Sequence, residues 1–141
     1  SGVLNRHAPV DIEKAVAAIA RRDGVRIMPD GIVAANQLGL TNAVPAKASY
    51  VTDGPTRDVK IGSRTIHLRH ASPSVMAWTG KTSAPVAQAL LWLGSKAASD
   101  TRVVTTLKHK LPDAVKRDLL HNSNGLPSRA SPIVQSIMES Q

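Results

Sequence analysis

The spacing of apolar positions changes along the chain, and each change predicts an element. From about Asp11 to Arg22, Ile12, Ala15, Val16 and Ile19 recur at helical spacing. Asp11 is placed to cap that helix and Asp23-Gly24 to end it. Val25 to Met28 is a short β-prone run closed by the turn signal Pro29-Asp30-Gly31, after which Ile32 to Leu38 returns to helical spacing until Gly39. From Lys47 the pattern becomes alternating: Asp53-Gly54-Pro55 and Gly62-Ser63 divide Ala48 to His70 into three short runs, which predicts an antiparallel meander. A turn at Gly62-Ser63 sets Val59 opposite Ile66 and gathers Ile61 and Leu68 on their face. Thr56, Asp58, Lys60, Thr65, His67 and Arg69 then fall on the other face, which is polar and mostly basic.

Beyond Ser72-Pro73 the spacing is helical to the end. Ser83 is positioned as an N-cap, with Pro85 in the first turn and Val86, Ala89, Leu90 and Leu93 as the apolar stripe. Asp100 is positioned to cap a second helix through Val103, Val104 and Leu107, and Pro112 separates it from a third through Val115, Leu119 and Leu120. Asn122 to Gly125 stops that helix, and Ser131-Pro132 opens a last one carrying Ile133, Ile137 and Met138. The expected class is α+β: a small antiparallel meander with an N-terminal helix, followed by an α-helical C-terminal half. The halves, about 1–72 and 73–141, each lie near the ~70-residue range in which one core supplies only a few kcal/mol, so residues 1–141 are expected to fold as one unit.

Composition narrows the function. With 42% hydrophobic and 20% charged residues the chain has the makings of a core, and it contains no cysteine for disulfides or thiolate-bound zinc. Its aromatic residues are Tyr50, Trp78 and Trp92, which predicts a core of Ala, Val, Leu and Ile and speaks against recognition of single strands by base stacking. No apolar run approaches the ~20 residues that span a bilayer, so no membrane association is expected. The chain opens Ser1-Gly2 without a charged and apolar leader, which reads as a cleavage scar, with residues missing upstream and a cytoplasmic location.

The net charge of +8 favours a partner rich in phosphate or carboxylate. Arg57, Lys60, Arg64, His67 and Arg69 cluster on or beside the expected hairpin and form the candidate binding surface for DNA or a protein partner. Arg21, Arg22, Lys108, Lys110, Lys116 and Arg117 are secondary candidates, although cations suit helix ends for local reasons.

Signals for catalysis are thinner. Pro29-Asp30 followed by Asp58-Val59-Lys60 has the letters of a metal-dependent nuclease, two carboxylates for a divalent ion and a lysine beside the attacking water. Pro-Asp-Gly is equally an ordinary turn and Asp58-x-Lys60 an ordinary strand face. His7, His67, His70, His109 and His121 show no i, i+4 pair, and Thr79-Gly80-Lys81-Thr82 lacks the leading glycine of a phosphate loop. No catalytic residue, metal or cofactor is therefore assigned.

The order of several segments is nonetheless distinctive. Gly31-Ile-Val-Ala-Ala-Asn-Gln-Leu-Gly-Leu-Thr-Asn-Ala-Val-Pro-Ala-Lys47, Tyr50-Val-Thr-Asp-Gly54 and Arg57-Asp-Val-Lys-Ile-Gly-Ser-Arg-Thr-Ile66 follow the Ile12-to-Ile19 helix. Together they resemble the AbiEi-type antitoxin family of bacterial type IV toxin–antitoxin systems. The resemblance is best over Val25 to Ser72 and continues through Leu90-Leu-Trp-Leu-Gly94; the chain departs from the family pattern at Leu126-Pro-Ser-Arg-Ala-Ser-Pro132. It implies an antitoxin and repressor domain that neutralises a cognate nucleotidyltransferase toxin, assists operator DNA binding and has no catalytic residues. It also implies an upstream winged helix-turn-helix that this sequence lacks. The alternatives are a standalone basic nucleic-acid-binding module and the nuclease above.

Overall fold

The computed structural model describes residues 11–139, so Ser1, Gly2 and His7 lie outside the described residues. Helix α1 (Ile12–Asp23) starts where expected: the Asp11 carboxylate accepts from the Lys14 N–H at 3.1 Å, and Gly24 caps the far end. Strand β1 (Ile27–Pro29) leads into α2 (Gly31–Gln37), whose N-cap is Asp30; the sequence Pro29-Asp30-Gly31 thus joins a strand to a helix. Strands β2 (Ala48–Thr52), β3 (Arg57–Ile61) and β4 (Arg64–His70) follow. The remainder is helical: α3 (Pro73–Met76), α4 (Ala84–Leu93), α5 (Ser95–Ser99), α6 (Thr101–Lys110), α7 (Asp113–His121), two single-turn 3₁₀ segments, and α8 (Ser131–Met138). The fold is α+β. No helix among the described residues is long and apolar enough to cross a membrane.

The strands do not form the expected meander. Sheet order is β1-β2-β4-β3, with β2 parallel to β4 and the other pairs antiparallel. The hairpin is as predicted, with Ile61 paired to Arg64 across Gly62-Ser63 and Val59 paired to Ile66. Its two strands enter the sheet in the opposite order to the one a meander requires. The reason is burial: Ile66 and Leu68 of β4 are fully inaccessible, as suits a central strand, whereas β3 alternates charges that belong at an edge. Residues 53–56 have to cross the end of β4, a distance of about 10 Å between strands two places apart. Hydrogen bonds hold that crossing in place, from the His70 N–H to Thr56 Oγ1 (2.9 Å) and between His70 Nδ1 and the Gly54 carbonyl (2.8 Å).

Each sheet face meets a different core. On one, Val16 and Ile19 of α1 cover Ile66 and Leu68, flanked by Ile27, Ala48, Tyr50, Val59 and Ile61. On the other, Met28 and Val51 join the helical half through Met76, Trp78, Val86, Leu107, Leu119 and Ile137. The two halves therefore share apolar core. Its aliphatic character is as the composition suggests except at the centre, where Trp78, 2% exposed, is the largest fully buried side chain.

Helix α2 lies against α4 through Ala34, Ala35 and Ala89. At Gly31 the backbones approach so closely that a Cβ would stand 2.5 Å from the Gln88 carbonyl oxygen. Ser83 occupies the N-cap of α4 without a side-chain cap; its hydroxyl and N–H instead donate to Asp118 of α7 at 2.6 and 3.0 Å. These bonds, the hydroxyl first, hold the Asp118 carboxyl below its ordinary range. Helix α8 buries Ile133, Val134 and Ile137 against the body.

Candidate binding surface

The two-residue turn at Gly62-Ser63, with Gly62 in the left-handed region at φ 62°, sets which hairpin side chains share a face. Pairing of Arg57 with Leu68 and of Ile61 with Arg64 puts Arg57 and Arg64 on the α1 side, at the two ends of an apolar row. Lys60, His67 and Arg69 stand on the opposite side with Asp58 and Thr65. The five candidates are thus divided between two faces rather than gathered on one, because strand alternation separates neighbours that are close in sequence.

Most of their charge is already matched. Arg57, on the α1 side, pairs with Asp23, which also accepts from Arg22 Nε at 2.9 Å; bonds from Arg22 and then Arg57 hold the Asp23 carboxyl well below the usual range. Across the open face, Asp58 accepts from Lys47 Nζ at 2.9 Å and lies 2.6 Å from His67 Nδ1, and these contacts keep it ionised to lower pH than usual. Arg69 reaches Asp30 at 3.1 and 3.4 Å. Asp30 also accepts from the Gly31 N–H at 2.7 Å and from Ser49 Oγ at 3.1 Å. Burial pushes the Asp30 carboxyl up, but the guanidinium of Arg69 and the Gly31 and Ser49 donors outweigh it, and the net direction is down.

Lys60 and Arg64 differ from the rest. Both are exposed, and neither side chain makes a hydrogen bond or ion pair among the described residues. Beside Arg64 a groove of about 650 Å³ runs between the start of α1, the loop before β2 and the hairpin turn, with Tyr50, Lys47 and the 75% exposed Val44 on its walls.

The secondary candidates divide in the same way. Arg22 is bound to Asp23, and Lys116 Nζ caps the end of α6 by donating to the Lys108 carbonyl at 2.8 Å. Lys110 points to the Gln37 carbonyl at 3.5 Å. Arg21 and Arg117 are exposed. Sequence reasoning missed Ser49, placed beside Asp30 by the antiparallel pairing of β1 with β2, and Lys47, placed beside Asp58 by the parallel register of β2 along β4. Nothing in a local pattern marks that register.

The carboxylates of the nuclease-like letters do not converge. Asp30 follows β1 and Asp58 lies on β3, the two margins of a sheet in which three strand spacings amount to about 14 Å. Ser49, Arg69 and His67 occupy the ground between them. No group of three or more His, Asp or Glu side chains suited to a metal ion occurs among the described residues.

A family model matches residues 3–119, and the chain belongs to that family, DUF6088, whose function is unknown. No curated protein and no solved structure matches the chain.

Proposed function

We propose that this chain is the antitoxin and repressor part of a bacterial type IV toxin–antitoxin system. In this reading it neutralises a nucleotidyltransferase toxin and assists operator binding in the cytoplasm, working through its surface and making or breaking no covalent bond. The observation that carries the proposal is the pair of uncompensated cations on the hairpin, Lys60 and Arg64, on a chain of net charge +8. Ion pairing elsewhere on the sheet leaves these two side chains free to meet phosphate or a partner's carboxylates. The resemblance to the antitoxin family supports the same reading, since it is best over Val25 to Ser72, the segment that forms the sheet and α2.

The reading requires a nucleotidyltransferase gene beside this one, and the test is growth rescue in cells expressing it, comparing the native chain with Lys60→Glu/Arg64→Glu. The double reversal should abolish rescue and weaken operator binding while leaving the melting temperature unchanged. DNA affinity of the native chain should fall steeply with salt, with a slope set by the number of phosphates contacted. Rescue by the double variant at the native level overturns a role for these two side chains. Salt-sensitive DNA binding by a native chain that rescues nothing makes it a standalone nucleic-acid-binding module instead.

A further inference from the structure

The free margin of β3 carries a charge pattern that is self-complementary about Val59, with Asp58 on one side of it and Lys60 on the other. Ile61 and Arg64 close the two-residue turn as a hydrogen-bonded pair, so the ladder to β4 runs through Ile61, Val59 and Arg57. The N–H and C=O groups of the intervening residues, Asp58 and Lys60, therefore point away from the sheet. Neither residue takes part in a backbone hydrogen bond outside the ladder, and no strand lies beyond β3 among the described residues. Their side chains share the open face and have opposite charge.

We propose that this margin pairs with the β3 margin of a second copy, across a two-fold axis at Val59, to give one continuous eight-stranded sheet. With β3 antiparallel to its own copy about that residue, Asp58 faces Lys60 of the second copy and Lys60 faces its Asp58. The outward backbone groups are those of residues 58 and 60, so these two pairs are the hydrogen-bonded ones and Val59 meets Val59 in the closer, non-bonded position. On the α1 side, the half-buried Val59 and Ile61 extend each copy's apolar row toward the other. A single lysine on an edge strand commonly blocks such pairing. Here it has its complement two residues away, in the one antiparallel register that satisfies backbone and charge together. The contact is isologous, so it closes at two copies. Lys47 already neutralises Asp58 within each chain, so the joined face stays cationic overall.

The proposal does not depend on the antitoxin reading, and its readouts are mass and cross-linking rather than DNA or toxin binding. In sedimentation the native chain should pass from one-chain to two-chain mass as concentration rises. Asp58→Lys and Lys60→Glu, each checked for a native circular dichroism spectrum, should stay at one-chain mass alone because each sets like charges opposite one another. Mixed in equal amounts they should recover the two-chain mass, since both cross-pairs are then complementary. Because the chain has no cysteine, Val59→Cys supplies the sole thiol and should oxidise to a covalent dimer, whereas Ile61→Cys, which faces Arg57 of the second copy, should not. One-chain mass for the native protein at every concentration, no recovery on mixing, or equal cross-linking of the two cysteine variants overturns the proposal.

Discussion

The two margins of the sheet have been finished by different physical means. At the β1 margin the strand is three residues long, ends in Pro29, and sends Met28 into the main core beneath the helical half. Proline and burial close that edge. At the β3 margin no helix or loop among the described residues hydrogen-bonds to the outward backbone, and the strand displays Asp58 and Lys60. The first margin is specified by packing, the second by charge. The comparison teaches where change is tolerated: packing at the β1 side supports the whole molecule, while the β3 side is supported by little and is free to serve recognition.

Substitutions sharpen the contrast. Trp78→Ala, on the closed side, should cost about 3–5 kcal/mol in denaturant unfolding, the usual toll for emptying a large buried aromatic site. Next comes Gly31→Ala, whose new Cβ meets the Gln88 carbonyl oxygen and Trp92 Cβ at 2.5 Å and must push α2 away from α4. A loss of about 1–3 kcal/mol is expected, and a stability equal to the native chain would show that this junction is looser than its geometry. Asp30→Asn should cost on the order of 1 kcal/mol, in the range of an altered helix cap that also holds Arg69 and Ser49. Asp58→Asn, exposed at the other margin, should have the smallest effect on stability.

Acid gives the same comparison without mutation. The Asp30 carboxyl titrates lower in the folded chain than in the unfolded one, so its contribution is complete above the unfolded value near pH 4 and is lost as pH falls. Melting temperature should therefore drop on acidification below about pH 4, and Asp30→Asn should flatten that drop. A profile identical to that of the native chain would mean that Asp30 carries none of it.

Much of this fold is legible in the sequence because it is local. Asp11, Asp100 and Gly24 mark helix ends by capping chemistry that reaches only a few residues, Pro132 sits in the first turn of the last helix, and Gly62-Ser63 marks a turn that sets its own register. The place of β2 is a different matter. Its residues alternate as a meander strand's would, and only the competition for the sheet centre, won by the fully buried Ile66 and Leu68, moves β3 to the outside. The face each hairpin side chain takes is set by the turn, but its partners are not: Asp23 and Asp30 arrive from distant segments to pair with Arg57 and Arg69, and Lys47 arrives to pair with Asp58.

The sequence by itself determined the α+β class, the approximate bounds of the longer helices, the hairpin and the cationic excess, since each follows from short-range periodicity, capping or plain addition of charges. Tertiary structure alone decided the strand order, the burial of Trp78, and which two of the hairpin's cations are left without an acid among the described residues. Those outcomes depend on which segments exclude water together, and that is a property of the whole chain.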